Sequence, residues 1–239
     1  MITVQNVTKL FGPTAAIDDI SLEIARGEIV GFLGPNGAGK TTLMRMLTSY
    51  LPPTKGKVVV AGYDLSKNSM EARRRLGYLP ETPPLYPDMT VKTYLKFSAK
   101  LKDVEHRLLH KTIDRVLEEC SLRDVQNHTI ATLSKGYQQR VGIAQAIIHD
   151  PEILILDEPT NGLDPQQILQ VRNLIKNLEQ KKTVLLSTHI LPEIEQIAKR
   201  VIILNKGKIA ADQPLDVLLQ KSMGKTVTLE EAFLKLTTS

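Results

Sequence analysis

The run Gly34-Pro35-Asn36-Gly37-Ala38-Gly39-Lys40-Thr41 leaves this chain few folds to choose from. It fits the pattern GxxxxGK(S/T), and its surroundings are as informative as its letters. The apolar stretch Ile29-Val30-Gly31-Phe32-Leu33 precedes it, and the helix-forming run Thr42-Leu43-Met44-Arg45-Met46-Leu47 follows. Glycines in such a strand–loop–helix let backbone N–H groups curl around phosphate oxygens. The new helix adds the positive end of its dipole. Lys40 is then placed to put a point charge on the β- and γ-phosphates of a nucleoside triphosphate. The Thr41 hydroxyl is placed to ligate Mg²⁺.

Two further apolar runs end in polar turns. Ile153-Leu154-Ile155-Leu156 leads into Asp157-Glu158-Pro159-Thr160, and Val184-Leu185-Leu186 into Ser187-Thr188-His189. Runs this short and unbroken suit strands buried on both faces, as in a parallel sheet covered by helices. A helix is expected over 165–179, opened by Pro165 in its first turn and carrying Ile168, Val171, Leu174, Ile175 and Leu178 at helical spacing. In open α/β sheets ligands sit at the carboxyl ends of the strands. Asp157 at such an end is suited to hold Mg²⁺ through water, and Glu158 to face the γ-phosphate and polarise the attacking water. An Asp-Glu pair could by itself be helix N-terminal charge. Beside a phosphate loop, the metal and catalytic reading fits better. His189, just past a third strand end, is placed to touch the γ-phosphate or orient the catalytic water.

The segment from about 90 to 149 reads differently. Leu109, Ile113, Val116 and Cys120 recur at helical spacing, as do Val141, Ala144 and Ile148, and no strand pattern interrupts them. A helical insert in an α/β core is expected there. The first 65 residues carry β-rich runs such as Lys57-Val58-Val59-Val60. The 239 residues, 42% hydrophobic, suffice for a sizeable core. Lys and Arg number 31 against 26 Asp and Glu, a net charge of +5. That modest excess does not by itself indicate nucleic acid, and Arg73-Arg74-Arg75 reads as a solvated helix face. Cys120, the single cysteine, fits a reducing compartment and a buried structural thiol. The N-terminus lacks the layout of a signal peptide, and no run approaches the ~18 apolar residues of a membrane span. The chain is expected to be soluble by itself, so any membrane role requires a partner.

Leu133-Ser134-Lys135-Gly136-Tyr137, followed by Gln138-Gln139-Arg140, resembles the LSGGQ-QR signature of the ATP-binding cassette (ABC) ATPases. Asn161-Gly162-Leu163-Asp164 is similar to that family's D-loop, His189 to its switch histidine, and Phe11 to the aromatic that stacks on adenine. Glu81, in Gly77-Tyr78-Leu79-Pro80-Glu81, stands at the Q-loop position. The matches run from near residue 4 to near 236. The resemblance implies a P-loop NTPase of the ABC cassette type. It would be one α/β domain over 1–239, with a RecA-like core, an N-terminal antiparallel β subdomain and a helical subdomain at about 82–150. It assigns nucleotide contacts to Phe11, Gly34, Pro35, Asn36, Gly37, Ala38, Gly39, Lys40, Thr41, Thr42, Ser134, Gly136 and Asp164. Thr41, Asp157 and Glu81 would hold Mg²⁺, and Glu158, His189 and Lys40 would be catalytic.

The signature also has a physical reading. Ser134 is a good N-cap and Gly136 would keep the helix start open, so that exposed N–H groups and the dipole form an anion site. In the family that site meets ATP held by a second subunit, and one phosphate loop with one signature therefore implies a second ABC ATPase subunit. Two departures stand out. Position 81 is Glu where the family has Gln, and LSKGY replaces LSGGQ, bringing the extra cation Lys135. The Gly77–Glu81 text and the stretch Leu229-Glu230-Glu231-Ala232-Phe233-Leu234-Lys235-Leu236 resemble the cassette subunits of ABC-2-type exporters. The implied role is an ATPase on the cytoplasmic face of the membrane that powers a transmembrane permease, with no nucleic acid expected. Helix 90–101 either lines the docking groove or only packs the subdomain. The alternative function is a soluble ABC-type nucleotide switch that regulates a non-transport complex.

Overall fold

The protein is described by a computed structural model over residues 1–179, 182–219 and 228–238. Strand β1 (Ile2–Phe11) is followed by β2 (Thr14–Ile24) and by β3 (Ile29–Leu33), which runs through the glycine-rich loop into helix α1 (Lys40–Leu47). Next come β4 (Lys55–Val60), β5 (Tyr63–Asp64), α2 (Ser69–Arg74) and β6 (Leu76–Leu79). Helices α3 (Val91–Leu101), α4 (Leu109–Glu119) and α5 (Lys135–Ile147) separate β6 from β7 (Ile153–Asp157). The chain continues through α6 (Pro165–Glu179), β8 (Thr183–Ser187), α7 (Leu191–Ile197), β9 (Arg200–Asn205), β10 (Lys208–Pro214), α8 (Leu215–Leu219) and α9 (Leu229–Thr237).

The strands form two sheets. One is antiparallel, in the order β2-β1-β4-β5. The other, β10-β9-β3-β8-β7-β6, is parallel from β9 to β6, with β10 antiparallel at its edge. Non-consecutive neighbours bring β3, β7 and β8 side by side, so their loops leave from one edge.

The continuous apolar runs are explained by where alternate residues go. Ile29 and Leu33 of β3, Leu154 and Leu156 of β7, and Val184 and Leu186 of β8 pack under the helices. Val30, Phe32, Ile153, Ile155 and Leu185 point the other way, onto the antiparallel sheet and α1. Between β6 and β7, helices and short 3₁₀ turns hold the chain, and Leu109, Ile113, Val116, Cys120, Val141, Ala144 and Ile148 are all buried. Helix α3 starts where Thr90 accepts a hydrogen bond from the Thr93 amide, at 3.2 Å. Pro165 opens α6 after Asp164, whose Oδ1 accepts from the Gln167 amide at 2.9 Å. Among the described residues no helix is long and apolar enough to cross a membrane.

The basic run is exposed, as expected of a solvated face, and each guanidinium has a partner at the surface. Arg73 donates to the Ser49 hydroxyl and carbonyl, Arg74 faces Asp103, and Arg75 pairs with Glu152. Cys120 is buried, and burial raises its thiol pKa, leaving it a packing residue.

His149, after α5, faces the Leu76 carbonyl through Nε2 at 3.1 Å, and burial, with nearby Lys102, lowers its pKa from 6.5 to about 4. A depressed imidazole contributes stability that is present above the unfolded value of 6.5 and is lost as pH falls through the folded value of about 4. Urea unfolding of His149→Gln should therefore depend less steeply on pH across that window than the parent does. An identical pH profile would contradict the assignment.

Candidate nucleotide site

The site begins with the loop between β3 and α1. Gly39 has φ 106°, and a Cβ there would lie 2.5 Å from the Ala16 carbonyl of β2. Glycine meets both demands, and other residues are strained there. The β9–β10 turn braces the loop from outside. Gly207 N–H donates to the Ala38 carbonyl (3.1 Å), and the Gly207 carbonyl accepts from Asp18 N–H (2.8 Å). A cavity of about 550 Å³ opens over the loop, lined by Gly34–Thr42 together with Ala16, Glu81, Glu158, Asn161, His189 and Phe233.

Two charged groups meet beneath the loop: Lys40, which lines the cavity, and Asp157, which is buried outside its lining. Lys40 is buried and folds back, its ammonium donating to the Gly34 carbonyl at 2.6 Å and the Pro35 carbonyl at 3.3 Å. Burial lowers its pKa, while the charges of Glu158, Asp157 and Glu81 oppose that shift. Asp157, the last residue of β7, is 1% exposed, and both of its carboxylate oxygens lack a hydrogen-bond partner among the described residues. Burial pushes its carboxyl upward, against the pull of the nearby Ser187 and Thr41 hydroxyls. The Ser187 hydroxyl is likewise buried without a well-formed hydrogen bond among the described residues. Buried polar atoms left unpaired oppose folding. Two carboxylate oxygens and a hydroxyl, close to Thr41, form a hard oxygen donor set that fits Mg²⁺.

Glu158 follows Asp157 with φ 51°, a left-handed conformation that costs a non-glycine residue on the order of 1 kcal/mol or more. Its amide donates to the Ser187 carbonyl at 2.9 Å. This turn lifts the side chain out of the sheet and toward the cavity. There Glu158 Oε2 lies 2.8 Å from His189 Nδ1 and 3.4 Å from the His189 amide nitrogen. The pair thus joins the β7 loop to the β8 loop. Glu81 reaches the same region from the segment after β6 and accepts a hydrogen bond from Asn161 Nδ2 at 3.0 Å.

Several residues singled out in the sequence stand outside this cavity's lining. Phe11 ends β1 half-exposed, with Lys9 Nζ 5.4 Å from its ring centroid. Ser134 caps α5, its hydroxyl accepting from the Tyr137 amide at 3.5 Å. The space beside Gly136 is not open: a Cβ there would meet Gln167 of α6 at 2.6 Å. Lys135 is exposed, with its ammonium beside Gly162 of the D-loop. Asp164 caps α6.

The structure also adds residues. Ala16 and Phe233 line the cavity, the latter from α9, whose last carbonyls accept from the Asn205 side chain. Asn161 ties the D-loop to Glu81. No periodicity marks Phe233 for this place. Only its lying in the helix that returns to the β9 edge could have suggested it.

Comparison with known proteins agrees with this geometry. The ABC transporter family matches residues 17–161. The bacitracin transport ATP-binding protein BcrA of Bacillus licheniformis is 39% identical over 93% of this chain and 72% of its own. An ATP-binding subunit of an ABC transporter superposes with a TM-score of 0.88 at 29% identity, covering 99% of both chains. The cassette MJ0796, solved as a dimer in a post-hydrolysis state with ADP and Pi, gives a TM-score of 0.81 at 28% identity over 90% of this chain and 99% of its own. With a phosphate loop, a strand-end Asp-Glu pair and a facing histidine on one sheet edge, the chain belongs to the ABC transporter family, as an ATP-binding ATPase subunit.

Proposed function

We propose that the chain is one ABC ATPase domain that binds MgATP on its phosphate loop, hydrolyses it through Glu158, and powers an exporter by ATP-driven pairing with a second cassette. The observation that carries this reading is the convergence, at one sheet edge, of the phosphate loop with Lys40, a buried unpaired Asp157 and the Glu158–His189 pair. The helical subdomain is placed at about residues 82–150.

The β- and γ-phosphates would rest on backbone N–H groups within residues 36–42, and Lys40 would exchange its two loop carbonyls for phosphate oxygens. Thr41 and Asp157 would hold Mg²⁺, with Glu81 at its side, and the bound ion would neutralise charge developing on the transferred phosphoryl group. Glu158 would orient the attacking water and accept its proton, a contribution of roughly 10²–10⁴-fold. His189, held by Glu158, would face the γ-phosphate. Phe11 would stack on the adenine beyond the loop.

Ser134, Gly136 and Asp164 lie outside the chain's own cavity, which supports their acting on ATP held by a second subunit. The dimeric state of MJ0796 supports the same arrangement. A separate cavity of about 490 Å³ supports permease docking. It is lined by Arg45, Tyr50, Arg73, Tyr78, Lys102 and Gln145, among others. Burial, with Arg73 adding repulsion, pushes the Lys102 ammonium below its usual range. An acidic segment of the permease would relieve that strain. Lys92 and Lys96 are exposed on α3 and do not line this cavity, whereas the apolar face of the same helix is buried in the subdomain. The transport named for BcrA, together with the exporter-like Gly77–Glu81 and Leu229–Leu236 texts, supports export from the cytoplasmic face. The soluble-switch reading rests on positive charge alone, and the exposed run Arg73–Arg75 is partly offset by Asp103 and Glu152.

Glu158→Gln should lose turnover by roughly 10²–10⁴-fold and keep ATP binding. Wild-type turnover would remove Glu158 from its role. Purified with ATP from detergent-solubilised membranes, the same variant should bring a stoichiometric multi-span protein with it. A soluble enzyme or a nucleic acid in its place would move the chain to the switch class. Within that pull-down, Arg73→Glu combined with Lys102→Glu should release the membrane protein. Release by Lys92→Glu with Lys96→Glu instead would place docking on the exposed face of α3.

A further inference from the structure

The chemistry above leaves one buried carboxylate without a task. Glu193 stands in the first turn of α7 and is 3% exposed. Its Oε2 accepts a hydrogen bond from Thr160 Oγ1 at 2.7 Å and another from Thr188 Oγ1 at 3.3 Å. Its Oε1 is buried with no partner among the described residues. The two hydroxyls belong to the loops that carry the reactive pair: Thr160 lies two residues after Glu158, and Thr188 immediately precedes His189. Thr188 Oγ1 in turn accepts from the Ile190 amide at 3.1 Å, so both flanks of His189 are held by this one network.

Packing does not account for a carboxylate here. Burying an acid with one oxygen unsatisfied opposes folding, and an apolar side chain of similar size would lift that cost while leaving the buried Thr160 and Thr188 hydroxyls without an acceptor. Glu158, which the network borders, keeps a left-handed backbone (φ 51°), and such a conformation persists only when its surroundings over-determine it. The Glu158–His189 contact, 2.8 Å long, depends on two loops that leave different strands and share no ladder beyond Asp157 and Ser187.

We propose that Glu193 is a positioning residue for ATP hydrolysis, a buried clasp whose carboxylate holds the Thr160 and Thr188 hydroxyls together and so sets Glu158 against His189. The inference rests on reading Glu158 as the residue that activates water. The Glu193 carboxylate is buried away from the nucleotide cavity, so its loss acts on geometry and not on binding of the phosphates. A displacement of such reacting groups by about 1 Å can cost roughly 10²-fold in rate.

The test compares Glu193→Leu, which removes both acceptors at similar bulk, with Glu193→Gln, which keeps one acceptor, and with Thr160→Val, which removes one donor. Steady-state kcat, KM for ATP and the thermal midpoint are measured for each. Glu193→Leu should lower kcat roughly ten- to hundredfold with KM unchanged. Glu193→Gln should recover most of the rate, and Thr160→Val should reproduce much of the loss. The Leu/Val double variant should be no slower than Glu193→Leu, because the two changes break one clasp. If Glu193→Leu does not fold, Thr160→Val carries the test, and its wild-type kcat would overturn the proposal. So would a wild-type kcat in a folded Glu193→Leu, a loss accompanied by a raised KM and a lowered midpoint, or losses that multiply in the double variant. Glu158→Gln is assayed beside them. Wild-type turnover there would sink the reading of the site and this inference with it, whereas a dead Glu158→Gln with a fully active Glu193→Leu would sink the clasp alone.

Discussion

At the end of β7 a carboxylate is held out of water beside two hydroxyls and with no paired cation among the described residues. Among the described residues both Asp157 oxygens are buried without a well-formed hydrogen bond, and the Ser187 hydroxyl next to it on the sheet is in the same condition. The nearby cation, Lys40, is bonded to the carbonyls of its own loop. Charges arranged this way raise the energy of the empty protein, which the rest of the fold must offset. The six-stranded sheet does so by burying β3, β7 and β8 on both faces, so that strand ends carrying unpaired groups are anchored by apolar residues over their whole length. A magnesium nucleotide would satisfy all of these groups at once, supplying phosphate oxygens to Lys40 and a cation to Asp157.

The loops above this floor are joined to each other as well as to the sheet. Glu158 meets His189, Asn161 meets Glu81, and Glu193 reaches Thr160 and Thr188 from behind. Lys135 lies on Gly162, and Gln167 fills the space beside Gly136, which ties the signature helix α5 to the D-loop and α6 of the same chain. A change at the γ-phosphate position is therefore next to a connected set of loops that ends at the signature. That gives a physical route by which occupancy of one site could alter the surface offered to a second subunit.

Much of this was legible in the sequence, for a specific reason. Ile29–Leu33, Ile153–Leu156 and Val184–Leu186 read as buried strands because both sheet faces are covered, and Pro165 marked the start of α6. The helical insert showed in Leu109, Ile113, Val116 and Cys120, all buried. The phosphate loop, Asp157, Glu158 and His189 could be placed because each follows such a run. What stayed hidden depends on contacts between segments far apart in the chain. Phe233 enters the cavity from α9, Gln167 closes the space expected to be open at Gly136, and Lys135 turns onto the D-loop. Nothing in the sequence separates Glu193 from Glu195 of the same helix; its burial and its two hydroxyl donors do.

If Asp157 is kept unpaired for the sake of a magnesium nucleotide, its charge is a liability to the empty protein and an asset to the loaded one. The direct measurement is the thermal midpoint of Asp157→Asn and of the parent, each taken empty, with ATP and EDTA, and with ATP and Mg²⁺. The account predicts that the empty variant melts no lower than the empty parent, and that the extra stabilisation given by Mg²⁺ over ATP alone disappears. An empty variant that melts well below the parent, yet keeps the full Mg²⁺-dependent increment, would contradict it.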